Sequence, residues 1–230
     1  MSKKTSQQET GLESIEHSLS RIEQFIEDHQ KQILIALGII VGAVLLFMGY
    51  TKLIIAPREK EVRQQMYIAE RYFEKDSFEL ALYGDNNYPG FEDITNDYSG
   101  TKSAKLANYY AGICHYRLGN YEDAIDYLKK FHAGDEILSA VALGAIGDAY
   151  IEMQEYEEGI SYYEKAANHH DNQFATPAYL FKLAQVYDYM GDFELALKNY
   201  QKIKKEYPKS QQAGFVDKNI ARVEALLQGK

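Results

Sequence analysis

The chain has 230 residues, with 25 Lys and Arg against 34 Asp and Glu, a formal net charge of −9 and a single cysteine, Cys114. So acidic a chain repels a phosphate backbone, which argues against a nucleic-acid partner. One cysteine excludes an intrachain disulfide and any zinc site built on several thiolates.

Residues 1–32 form a polar to amphipathic arm. Met1–Thr10 is rich in Lys, Ser, Gln and Thr, a composition that favours disorder. Apolar residues then recur at Leu12, Ile15, Leu19, Ile22 and Ile26, in steps of 3 and 4. That is a heptad stripe, which suits self-association or a partner helix, or else a merely amphipathic lead-in to the apolar segment that follows. Glu13, Glu16, Glu23, Glu27 and Asp28 lie between its members, unlike the Lys/Arg-rich face of a helix resting on anionic lipid.

Residues 33–56 are predicted to cross a membrane as one helix. Ile33–Thr51 carries no charge, and Leu53–Ala56 resumes the apolar run after Lys52. At a rise of about 1.5 Å per residue the segment reaches about 36 Å, enough for a hydrocarbon core of roughly 30 Å. Six acids lie ahead of it and no A-x-A-like site follows, so it reads as an uncleaved anchor rather than a signal peptide. Gly38 and Gly42 form a G-x-x-x-G that permits close approach of a second membrane helix. Lys52, Arg58, Lys60 and Arg63 outnumber Arg21 and Lys31, which leans toward an inside C-terminal domain. Large domains cross largely regardless of charge, so the count does not fix orientation.

From Pro57 onward, 20 Lys and Arg face 28 Asp and Glu, and the period becomes helical. Gly112–Ala124, Gly147–Gly159 and Ala184–Ala196 align as three copies, with equivalent positions Ala124, Gly159 and Ala196 spaced by 35 and 37 residues. Each copy predicts a helix, a turn near Gly119–Asn120, Gln154–Glu155 or Gly191–Asp192, and an aromatic-rich second helix. A weaker copy spans 57–104: Phe78–Leu82 reads FELAL, as does Phe193–Leu197, and the turn-rich Gly84–Gly90 marks an insertion followed by a short helix over Phe91–Tyr98. Three full copies cover 105–208. Residues 209–230 predict a capping helix with Phe215, Val216, Ile220, Val223 and Leu227 on its inner face. The small residues Gly112, Ala124, Gly147, Gly159, Ala184 and Ala196 are expected where paired helices cross. The fold class is therefore all-α: an N-terminal membrane helix, an α-solenoid of helix pairs, and a cap.

No phosphate loop, dinucleotide glycine fingerprint, zinc-protease motif or calcium loop occurs, and no nucleophile–base pair has a recognisable spacing. The chain reads as a non-enzyme without cofactor. His169-His170-Asp171 is the one local cluster of metal-ligating types, and it lacks a third spaced ligand; a solvated loop is expected. Cys114 is expected to be a small buried hydrophobe.

The period and small-residue positions resemble the tetratricopeptide repeat. In that family the first helix of each pair lines a protein-binding groove. Carried onto this chain, the resemblance implies groove residues Tyr109, Ile113, Tyr116, Arg117, Asp148, Ile151, Glu152, Phe181, Gln185, Asp188 and Tyr189. Ile113 and Asp148 stand where the carboxylate-clamp members carry asparagines, so that clamp is not expected. The whole layout of short arm, one span and small acidic repeat domain resembles the single-span ancillary subunit of the bacterial Sec translocon. The Tyr109–Phe131 stretch, after an insertion ending Asp97-Tyr98-Ser99-Gly100-Thr101, is similar to Bacteroidetes-type versions. That resemblance implies an inner-membrane protein with its N-terminus cytoplasmic and its repeats periplasmic. Its partners would be translocon subunits, periplasmic chaperones or exported chains. The alternative is an assembly scaffold of another membrane complex, with the repeats facing the cytoplasm.

Overall fold

The computed structural model describes the backbone of residues 5–132 and 134–229, and side chains from Glu27 onward within them. The described residues are helical throughout, with no strand, and fall into two compact units, Met1–Ala56 and Pro57–Lys230.

The first unit is one helix, α1 (Thr5–Tyr50), closed by a π-helical turn over Thr51–Ile55. Thr5–Thr10 is helical where composition favours disorder; Gln7, Gln8 and Glu9 are good helix formers. The heptad positions Leu12–Ile26 lie outside the residues whose side chains are described. Between Ile33 and Ile54 the apolar side chains face outward: Leu46 is 77% exposed, Phe47 68% and Leu53 79%. Gly38 and Gly42 lie on this helix with nothing near the position a Cβ would take.

The second unit opens with α2 (Ala56–Phe73), α3 (Phe78–Tyr83) and α4 (Phe91–Asp97). Three long–short helix pairs follow: α5 (Lys102–Arg117) with α6 (Tyr121–Lys130), α7 (Glu136–Glu152) with α8 (Tyr156–Asn168), and α9 (Ala175–Met190) with α10 (Phe193–Glu206). The last helix is α11 (Ala213–Gln228). The second helices carry acids in their first turn and lysines in their last, Glu122 and Asp123 against Lys129 and Lys130 in α6, which complements the helix dipole.

The same turn is built four times. Asp76, Gly119, Gln154 and Gly191 all have positive φ, between 56° and 83°. One residue later, Ser77, Asn120, Glu155 and Asp192 each donate a backbone hydrogen bond to the carbonyl five residues back, at 2.8–3.0 Å. That bond closes the preceding helix in the left-handed terminating motif. The weak first copy therefore shares the turn of the other three, although its second helix has only 6 residues.

Small residues set how closely the helices cross. A Cβ on Gly112 would stand 2.6 Å from Leu128 Cγ, and one on Gly147 2.7 Å from Tyr163 Cδ1. Ala124, Ala184 and Ala196 are fully buried. The inserted α4 is tied in by Phe91 and Ile94, both fully buried, with the Phe91 ring stacked 4.9 Å from Tyr110. In α11 the buried stripe is Val216, Ile220, Val223 and Leu227, and Phe215 is 58% exposed. The expected placement of Phe215 was one residue off the 4-3-4 spacing that the other four share.

Candidate functional site

The long helices α5, α7, α9 and α11 are joined along one line by polar contacts between neighbours in the stack. Asp148 of α7 receives Lys182 Nζ of α9 at 2.5 and 2.7 Å, and the Tyr163 hydroxyl at 2.6 Å. Asp188 of α9 pairs with the Arg222 guanidinium of α11. Both pairs span 34 residues, about one repeat. Tyr116 of α5 extends the line: burial, then the nearby Asp148 and Glu152 carboxylates, push its phenol up to about 12. At the other end Arg117 lies 3.7 Å from Asp76 and 4.7 Å over the Phe78 ring, clamping the first copy to the second.

Beside this line is a cleft of about 420 Å³ between α7, α8 and α9. It is lined by Ile151, Gln185 and Tyr189, together with Tyr156, Tyr163, Lys182 and Val186. Tyr189 is 76% exposed and its ring sits 5.6 Å from that of Tyr156. Lys182 lies 5.5 Å over Tyr163 and 5.8 Å over Tyr179, whose phenols burial drives well above their ordinary value. The cleft thus offers aromatic faces, one ammonium already neutralised by Asp148, and an amide. Among its described lining residues no nucleophile–base pair occurs.

The eleven positions expected in the groove separate into three groups and one lone residue, Glu152. Ile151, Gln185 and Tyr189 meet in the cleft. Tyr109, Ile113, Tyr116 and Phe181 are half-buried and belong to the packing: Tyr109 meets Phe131 at 5.3 Å, and Phe181 stands edge-on to Tyr200 at 5.6 Å. Arg117, Asp148 and Asp188 are engaged by other helices, and Glu152 is exposed. The sequence reasoning missed Tyr156, Tyr163, Lys182 and Val186. Tyr156 and Tyr163 sit on a second helix, and Lys182 lies three residues before Gln185 on the same face, which is the signal that could have found it.

Residues 138–204 match a tetratricopeptide repeat family model, and residues 106–133 match a second model of the same repeat. These segments are tetratricopeptide repeats. The tetratricopeptide architecture also appears in a solved structure of nearly identical TPR-like repeats from a Podosopora anserina kinesin light chain. That structure is similar to this chain at a TM-score of 0.55 and 13% identity, over 75% of this chain and 89% of that one. At such identity the likeness is one of fold. No curated protein sequence matches the chain. Tetratricopeptide repeats are protein–protein interaction modules, and protein partners are the expected ligands.

Cys114 is fully buried, and burial pushes its thiol up to about 12, so it is not a nucleophile. The His169–Asp171 loop is braced rather than merely solvated: His170 Nε2 lies 2.9 Å from Glu136, and Asp171 accepts from the Tyr207 hydroxyl at 2.6 Å.

Proposed function

We propose that the chain is a membrane-anchored tetratricopeptide module that works beside the Sec translocon, with its repeats in the periplasm, bringing chaperones or exported segments to the channel. The observation that carries the reading is the pairing of an outward-facing apolar helix, Ile33–Ile54, with a repeat domain whose open cleft is aromatic and uncharged on balance. An apolar surface of that length, left uncovered by the protein, is stable only in lipid or against another helix. Tyr156 and Tyr189 give large contact area at low conformational cost, which suits extended, sequence-varied segments. The acids at Asp148 and Asp188 are held by Lys182 and Arg222, which favours recognition by aromatic contact over recognition by charge.

Photocrosslinking in native membranes tests this. A photoreactive residue replacing Tyr189 is expected to capture translocon subunits or periplasmic chaperones, and one replacing the exposed Lys198 on α10 is not. Equal capture at both positions, or capture of cytoplasmic proteins at 189, refutes the reading. Orientation is settled separately: with Cys114 buried, a Gly229→Cys chain has one reactive thiol, and a membrane-impermeant maleimide is expected to label it in spheroplasts.

A further inference from the structure

A second cavity lies on the other side of α7. Ser139, Ala142, Leu143 and Ile146 face it, whereas Ile151 of the same helix lines the cleft described above. Its volume is about 410 Å³, within the range of ligand pockets. The floor is apolar, made by Leu128, Phe131, Ala142, Leu143 and Ile146. The rim is basic: Lys129, His132, Lys165 and His169 line it, and no carboxylate does.

Some cations of the domain are matched by acids: Lys182 by Asp148, Lys204 by Asp217, Arg222 by Asp188 and Arg63 by Glu59. Among the described residues neither Lys129 nor Lys165 forms an ion pair. They are held instead by neutral aromatics. Lys129 donates to the Tyr150 hydroxyl at 3.3 Å and lies 5.9 Å from the centre of the Tyr162 ring, and Lys165 lies 4.1 Å from the centre of the same ring. An aromatic partner fixes an ammonium in place without cancelling its charge, and each ammonium keeps donors to spare. Asp126, on the same helix, acts on Lys129 through space, but the two ammonium groups, without an ion pair among the described residues, stand at the edge of an apolar floor.

We propose that this pocket binds a short acidic peptide segment, one bulky apolar side chain of which enters the floor while flanking Asp or Glu carboxylates meet Lys129 and Lys165. Charge complementarity selects the occupant. An anionic bilayer presents its field to the entire domain, and with 20 cations against 28 anions the domain is repelled as a body. A peptide brings its carboxylates within roughly one Debye length, about 8 Å, of the two lysines alone. The enclosed floor also suits a single side chain better than a flat headgroup layer.

The test uses the full chain in phosphatidylcholine nanodiscs and a fluorescein-labelled Glu-Glu-Phe-Asp-Glu peptide, read by anisotropy. Binding is expected to weaken with added salt, and Lys129→Ala with Lys165→Ala is expected to weaken it roughly tenfold or more, the loss that follows removal of a charge-assisted hydrogen bond. Lys198→Ala removes one cation elsewhere and is expected to leave affinity unchanged. The charge-reversed pair Lys129→Glu with Lys165→Glu is expected to reject the acidic peptide and accept Lys-Lys-Phe-Lys-Lys. Equal affinity of the native chain for both peptides overturns the proposal, as does unchanged affinity in the double alanine variant. Cosedimentation with phosphatidylglycerol vesicles that depends on the two lysines, without peptide binding, overturns it in favour of lipid. None of these outcomes bears on capture at Tyr189, so this proposal and the function proposed above fail independently.

Discussion

Removing the Asp148 carboxylate should be among the most damaging polar substitutions in the repeat domain. The group accepts from Lys182 at 2.5 and 2.7 Å and from Tyr163 at 2.6 Å, and the Tyr163 residue is only 4% exposed. In Asp148→Ala the Tyr163 hydroxyl loses its acceptor in a nearly dry site, at about 1–3 kcal/mol. The Lys182 pair is more exposed, 38% and 25% at its two side chains, so solvent screening limits its loss to about 0.5–1 kcal/mol. The sum is about 2–4 kcal/mol, most of it owed to Tyr163. Asp148→Asn keeps an acceptor for the phenol and should cost about 1 kcal/mol or less. Tyr163→Phe removes the stranded hydroxyl, so in the Asp148→Ala background it should restore stability by about 1 kcal/mol. Urea denaturation of the detergent-solubilised chain, followed by circular dichroism, measures all three variants. If Asp148→Ala and Asp148→Asn cost the same, or Tyr163→Phe restores nothing, the phenol is not what the carboxylate supports and the reasoning fails.

Gln154 is a non-glycine residue at φ 63° in the turn where Gly119 and Gly191 occupy the equivalent places. Gln154→Gly should raise stability by about 0.5–1 kcal/mol, and Gly191→Ala should lower it by about 1 kcal/mol, both read from urea midpoints. Gly112→Leu should cost about 1–3 kcal/mol by driving a side chain into Leu128, and a melt matching the native chain would show the helix crossing to be misplaced. Burial acts to raise the Glu59 carboxyl, but bonds from the Ser103 hydroxyl and amide, Arg63 and the Lys102 amide outweigh it and hold it below the usual value of 4.5. Its folded pKa being depressed, the stability it lends is present above about pH 5 and disappears as pH falls through the folded value. Glu59→Gln should flatten the stability profile between pH 5 and 3, and an unchanged profile would count against the carboxylate as the cap of α5.

Much of this protein is written in its local sequence. That the charge-free run at Ile33–Thr51 belongs to a helix long and apolar enough to cross a bilayer needs only a count of residues, because helix rise and bilayer thickness are fixed independently of any other part of the chain. The repeats are equally legible. Gly112, Ala124, Gly147 and Ala196 recur at a set distance because each helix pair must cross closely, and Gly119 and Gly191 mark turns that demand positive φ. Even Asp76 was foreshadowed, since FELAL places its turn five residues before Ala81, where the other copies place theirs.

Which exposed groups remain available was decided by the tertiary structure alone. The resemblance to tetratricopeptide repeats implied that Asp148 and Asp188 face a groove, but neither it nor helical spacing could show that the stacking of successive repeats brings Lys182 and Arg222, each 34 residues away, onto those carboxylates. Nor could it show that Lys129 and Lys165, on different helices, would approach one tyrosine ring over an apolar floor whose described lining holds no carboxylate. Periodicity tells which side of a helix a residue occupies. The rotation from one repeat to the next determines what that side meets, and it arises from the sum of many small packing contacts rather than from any local run of residues.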